Sequence, residues 1–214
     1  MARTIQLEVF TFDELSDKAK EKARQWWRDT TSEFGYAHAD EAITSLKDFI
    51  DEFGGVLIDY EISSHASVKI NFDSFGQGKI ELSGKRLLAY LWNHHRNILY
   101  TRKPYGKYQQ RANGEWEYDR YSKCQLVQND CPFTGVTTDE DLLDPMRKYM
   151  ETPDMGLTLE ELLTQCLSSW ATAVGKQCEY EDSDEGVDEA IIGNEYEFTS
   201  NGLLFHAPHY QPAS

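Results

Sequence analysis

Residues 178–202 read CEYEDSDEGVDEAIIGNEYEFTSNG, and the fold turns on whether this stretch is a solvated tail or a folded end. Nine carboxylates fall within it, from Glu179 to Glu197, and no Lys or Arg follows Lys176. Its apolar residues are few but spaced: Val187, Ala190 and Ile191, then Tyr196 and Phe198. A disordered acidic tail lacks such residues. Ser183 is placed to cap a short helix that runs to about Ile192. Residues 195–199 read as a strand, Asn201-Gly202 as a turn, and residues 203–205 as the return. The stretch is therefore expected to be a folded, strongly negative surface, with residues 207–214 a loose tail.

Working outward, the formal charge of the whole chain is −16 and its pI about 4.7. Such a charge opposes nucleic acid and anionic membrane and favours basic partners, including the nucleic-acid-binding surfaces of other proteins. No run of about 18 apolar residues is present, so no membrane span is expected. The first 28 residues have no apolar h-region, and the four cysteines form no C-x-x-C pair. A cytoplasmic protein with reduced thiols follows. A chain of 214 residues can bury roughly 70% of its unfolded surface and needs no staples.

Residues 4–10 alternate as a half-buried strand, with Ile5, Leu7 and Val9 on one face. Asp13-Glu14-Leu15 turns the chain, and Ser16 caps a helix over residues 18–28. Trp26 and Trp27 in it are expected as core anchors. A second helix covers residues 38–53, with Ala42, Ile43, Leu46, Phe49, Ile50 and Phe53 as its stripe and Gly54-Gly55 as its stop. Residues 56–62, the alternation Val68, Ile70, Phe72, and the pair Ile80, Leu82 predict a three-stranded antiparallel meander. Residues 85–100 are helical in pattern. Thr138 opens an acidic helix start that Pro145 limits or kinks, with Asp141 at the capping-box position. Thr158 with Glu161 is a fuller capping box, heading a helix over residues 159–174 that buries Cys166 and ends at Gly175. The class is α+β, an antiparallel sheet packed with helices. It is expected as one domain, with residues 100–136 as an inserted lobe.

That lobe belongs to a segment of opposite sign. Residues 85–123 hold nine basic residues against three acidic ones. Tyr100, Tyr105, Tyr108, Trp116, Tyr118 and Tyr121 interleave with the bases, and Asn113-Gly114 reads as a hairpin tip. Base stacking with phosphate contact is one use of such a segment. The negative charge elsewhere opposes a polyanion, so an acidic patch, on this protein or on a partner, is the favoured contact.

Enzymatic signatures are thin. His94-His95 is the obvious metal lure, but adjacent helical residues point about 100° apart. No H-E-x-x-H or paired C-x-x-C accompanies them, and no G-x-S-x-G or P-loop is found. Gly76-Gln77-Gly78 lacks the lysine and following helix of a phosphate loop and reads as a turn. Neither metal nor cofactor is expected, and no catalytic residue is assigned.

Both ends resemble a loose group of bacteriophage and prophage proteins, some described as antitoxin-like. At the N-terminal end the resemblance rests on FDELSDKAKEKARQWWRD, residues 12–29. At the C-terminal end it rests on SDEGVDEAIIGNEYEFTSNG, residues 183–202. The loop at residues 72–78 weakly resembles a Gly-rich aromatic loop reading S-Q-G-D-G in that group. Here Lys79 follows Gln77-Gly78, and the Asp is missing. The resemblance implies an origin in a mobile element.

By analogy with small acidic phage proteins, the expected function is non-enzymatic inhibition of a host defence complex that handles nucleic acid, of the anti-CRISPR or anti-restriction type. Carboxylates spaced on a rigid fold can imitate the phosphates of DNA, which carries one charge per roughly 1.7 Å of axis. The expected partner-binding face comprises Glu179, Glu181, Asp182, Asp184, Glu185, Asp188 and Glu189, with Asp139, Glu140, Asp141 and Asp144. A secondary surface comprises Arg102, Lys103, Tyr105, Lys107, Tyr108, Arg111 and Trp116. The alternatives are an antitoxin neutralising a cognate toxin, and a hydrolase or nucleic-acid-binding protein. The expected site of action is the cytoplasm of a bacterial host.

Overall fold

The computed structural model describes residues 8–72, 78–101, 104–111, 113–126, 131–135 and 137–205. The fold is α+β, with six α-helices among the described residues and short antiparallel strand pairs. In chain order the elements are β1 (Phe10–Thr11), a 3₁₀ turn (Phe12–Glu14), α1 (Asp17–Phe34), α2 (Ala39–Phe53), β2 (Val56–Glu61), β3 (Ser67–Asn71) and α3 (Gly84–Leu99). There follow β4 (Tyr100–Thr101), β5 (Pro104–Gln110), β6 (Trp116–Tyr121), β7 (Gln125–Leu126), α4 (Thr137–Glu151), α5 (Leu159–Asp182), α6 (Asp184–Gly193) and β8 (Glu197–Phe198). The chain divides into two compact units. One joins Met1–Ala39 to Lys176–Ser214, and the other is Asp40–Gly175.

The first unit is made from the two chain ends. β1 pairs antiparallel with β8, setting Phe10 opposite Phe198. Ser16 stands at the N-cap of α1, which continues past Arg28 to Phe34 and stops at Gly35, whose φ is +76°. Ala19 and Ala23 of α1 meet Val187 and Ile191 of α6, with Phe12, Leu15 and Phe198 completing the core. Small residues on α1 let α6 approach closely. Trp26 and Trp27 pack on this core, and Trp26 lies edge-on to Tyr196 at 5.2 Å and to Phe198 at 5.8 Å. Ser183 caps α6 by accepting from the Gly186 amide at 3.1 Å. The closing turn forms as read: the Thr199 amide donates to the Leu203 carbonyl, and that of Gly202 to the Thr199 carbonyl.

The second unit buries one face of each of four helices: Leu46, Phe49 and Phe53 of α2, Leu87, Leu91 and Leu99 of α3, Leu142, Leu143 and Met146 of α4, and Leu162, Cys166 and Trp170 of α5. The Trp170 indole donates to the Ala42 carbonyl at 3.1 Å, so its one polar atom is satisfied inside the core. The Thr158–Glu161 capping box heads α5 with both bonds in place. β2 pairs with β3, β4 with β7 and β5 with β6, each antiparallel.

Two sequence expectations are corrected here, and Pro145, expected to limit or kink its helix, does not limit it. Ile80 and Leu82 form no strand. Their carbonyls accept from the Glu160 and Leu159 amides, first-turn donors of α5 that have no partner within the helix. The meander is therefore a two-stranded hairpin. Gly175 does not end α5, which runs on to Asp182. It is buried, and a Cβ there would stand 2.9 Å from the Ser64 carbonyl oxygen, so close backbone approach explains the glycine. Pro145 lies inside α4, which the burial of Leu142, Leu143, Met146 and Tyr149 carries past it. The strand expected at residues 4–10 lies outside the described residues except at its end. So do loop residues 73–77 and the expected tail.

Candidate functional site

Ser183 breaks the chain between α5 and α6 and so gathers the acid of both. Glu179, Glu181 and Asp182 stand on the last turn of α5, against its dipole, whereas Asp184, Glu185 and Asp188 begin α6, with it. The structure sorts these carboxylates by what holds them. Arg24 grips Asp188 with two bonds, Nε to Oδ1 at 2.6 Å and Nη2 to Oδ2 at 2.7 Å. Arg28 Nη2 meets Asp184 Oδ1 at 2.5 Å, which holds that carboxyl below the usual carboxylate range. These two acids are neutralised by cations.

Three others, Glu181, Asp182 and Glu189, are fixed without a Lys or Arg partner. The Tyr36 hydroxyl donates to Asp182 at 2.8 Å, and the Tyr180 hydroxyl to Glu189 at 2.6 Å. Glu181 accepts from the Ala37 amide at 3.1 Å and contacts His38 Nδ1 at 2.7 Å. Burial and Asp182 push the Tyr36 phenol up to about 12, and the bond to Glu189 pushes Tyr180 up to about 12. Both phenols therefore keep their protons near neutral pH and position the acids without cancelling them. Glu179 and Glu185 are exposed and make no hydrogen bond or ion pair among the described residues.

The acidic group on α4 belongs to the other unit and is of a different kind. Asp139 was expected on the partner-binding face, and the structure corrects this: it is fully buried. Its carboxylate accepts from the amides of Phe133, Thr134 and Gly135 and from the Thr134 hydroxyl, at 2.8–3.1 Å. It is a loop anchor. Asp144 pairs with Lys148 one turn on, and Glu140 and Asp141 are half-buried.

Of the basic aromatic residues, Arg102 and Lys103 lie outside the described residues, as does the Tyr105 side chain. Lys107, Tyr108, Arg111 and Trp116 belong to the β5–β6 hairpin, whose turn holds Asn113-Gly114 as read. Arg111 pairs with Glu117. Tyr108, Trp116 and Tyr118 gather on one face. The alternation of residues 116, 118 and 120 was the available signal for adding Tyr118 and Arg120 to this surface.

Two constellations resemble catalytic groups. Cys178 Sγ lies 3.9 Å from His38 Nε2, and His38 Nδ1 meets Glu181, in the order of a thiol–imidazole–carboxylate triad. Cys178 is fully buried near the α5 C-terminus, and burial with Glu181 and Asp182 pushes its thiol up to about 11. A nucleophilic cysteine needs the opposite environment, so the trio is a structural clasp. Elsewhere His95 bonds Glu52 through Nδ1 at 2.8 Å and stacks near Phe53. Its Nε2 is buried without a partner, while neighbouring His94 is exposed beside Tyr90.

Burial holds His95 below its ordinary value of 6.5, only partly opposed by Glu52. The unfolded chain therefore takes up this proton more readily than the folded one, and stability present above pH 6.5 declines as pH falls below it. The His95→Phe variant is expected to show a flatter loss of urea midpoint between pH 7 and 5 than wild type. Equal slopes would remove His95 as the cause.

Among the described residues no three His, Cys, Asp or Glu side chains converge as a metal site requires. A shallow cleft of about 370 Å³ is lined by Pro145, Lys148, Tyr149, Asp154 and Leu157. No helix among the described residues is long and apolar enough to cross a membrane. No family model, curated protein or solved structure matches this chain.

Proposed function

We propose that this protein is a non-enzymatic inhibitor of mobile-element origin. It acts in the bacterial cytoplasm on a host defence complex that handles nucleic acid, of the anti-CRISPR or anti-restriction type. One observation carries the reading: Glu181, Asp182 and Glu189 are held by phenols, an amide and an imidazole. The phenols and the amide are neutral donors, which fix position and leave the negative charge in place. With Glu179 and Glu185 they make a preorganised acidic surface that suits a cleft lined with Lys and Arg. Asp184 and Asp188 are tied to α1 through Arg28 and Arg24.

Glu179 and Glu185 give the cleanest test, because reversing them breaks no internal bond. The double variant Glu179→Lys, Glu185→Lys is expected to unfold with the wild-type urea midpoint. In host cells with an active restriction or CRISPR system, wild type is expected to restore phage plaques, and the double variant to lose at least tenfold of that restoration by slowed association. Undiminished restoration by the double variant would remove the acidic surface from the mechanism. Wild type that restores no plaques but relieves growth arrest by a co-expressed toxin would favour the antitoxin reading.

A further inference from the structure

The β5–β6 hairpin carries a surface that does not depend on the acidic one. Register places Tyr108 opposite Tyr118 and Gln110 opposite Trp116. Strand alternation adds Arg120 to this face and leaves Gln109 and Glu117 on the other. The Tyr108 and Trp116 rings stack at 5.6 Å with 25° between planes, and Tyr108 meets Tyr118 at 5.1 Å. Such cross-strand pairs support the hairpin itself. Yet Tyr108 stays 59% and Trp116 57% exposed. β5 and β6 pack chiefly on each other, and a two-stranded hairpin alone is marginal in water.

We propose that this face docks a second protein, one presenting an apolar cleft flanked by a carboxylate. Tyr108, Trp116 and Tyr118 are the anchors, and Arg120 is the charge that selects the rim. Tyr, Trp and Arg are the residue types that dominate binding energy at protein interfaces.

Charge decides the occupant. Arg120 is exposed and forms no ion pair among the described residues, whereas Arg111 is held by Glu117. The aromatic face therefore offers an unneutralised cation, which a carboxylate on the partner would complement. For a nucleic acid the hairpin offers little: residues 104–123 hold four Lys and Arg against three Asp and Glu, and polyanion affinity follows the number of phosphates neutralised. A second copy of this chain brings a further −16 and is repelled at long range.

Adjacent residues on opposite faces supply the test. The photo-crosslinking residue p-benzoylphenylalanine replaces Gln110, on the aromatic face, or Gln109, on the other, in the full chain expressed in bacterial cells. Position 110 is expected to give one discrete protein adduct, and position 109 at least about tenfold less. The adduct is expected to map to a cleft with a carboxylate at its rim. Arg120→Glu is expected to reduce it about tenfold, and reversing the mapped carboxylate to Lys to restore it. Equal adducts at both positions, no adduct at position 110, an adduct to a second copy of the chain, or indifference to Arg120→Glu would overturn the proposal. So would binding of an oligodeoxythymidine in fluorescence anisotropy that is abolished by Trp116→Ala.

Discussion

Gly202→Ala is expected to unfold the first unit at urea concentrations that leave wild type intact, a loss of at least about 3 kcal/mol. Two penalties combine. Gly202 has φ of +79°, a region that costs a residue with a Cβ about 1–2 kcal/mol. A Cβ there would also overlap the Ala19 carbonyl. Ala19 is in the core stripe of α1 and cannot move without separating α1 from α6. The unit is closed where the turn after β8 rests on the α1 backbone, so the damage reaches the Arg24–Asp188 pair and the acidic surface. Trp26 and Trp27 fluorescence would report the transition. Gly193→Ala is the control: nothing lies near its Cβ, and it is expected to shift stability by less than about 1 kcal/mol. If the two variants melted alike, the close contact at Gly202 would have no energetic weight.

Local chemistry made much of this fold legible in the sequence. The Ser183 cap, the Thr158–Glu161 box and the Asn113-Gly114 tip each involve residues within a few positions of one another, and each forms. The amphipathic stripe of α2 predicted its burial, and Trp26 and Trp27, expected as core anchors, pack half-buried against the core of the first unit. What escaped was set by distant partners. Gly175 resembles a helix stop until Ser64 is placed against it, and Ile80 with Leu82 resembles a strand until the open end of α5 is there to be capped. The same limit applies to the site. A charge count treats all the carboxylates of residues 178–202 alike. In the fold, Asp188 meets an arginine 164 positions away, Asp182 meets a tyrosine hydroxyl, and the Glu185 side chain makes no hydrogen bond or ion pair among the described residues. Which of these acids pair with arginine, and which with a phenol, an amide or an imidazole, was set by α1, by the segment that follows it and by Tyr180.

Asp139 shows the same principle with a larger energetic consequence. Asp139→Ala is expected to destabilise the second unit by about 3–5 kcal/mol, because three backbone amides would lose their acceptor in a site closed to water. The Thr134 hydroxyl would lose its acceptor as well, and that hydroxyl also joins Thr138 in contacting buried Ser45 of α2. The loop before α4 would thus be released from both helices. Asp139→Asn keeps one carbonyl acceptor but turns an amide donor toward other donors, so it is expected to recover less than half the loss. Glu140→Ala and Asp144→Ala remove no buried acceptor, and the exposed Asp144–Lys148 pair is worth under about 1 kcal/mol. Urea unfolding followed by Trp170 fluorescence would rank the four. Amide exchange at Phe133, Thr134 and Gly135 in Asp139→Asn would show where the release begins. A partner-binding carboxylate would give the reverse pattern, with unchanged stability and weakened inhibition. Stability and plaque restoration measured on the same variants therefore separate a loop anchor from a contact, and Asp139 from Glu179 and Glu185.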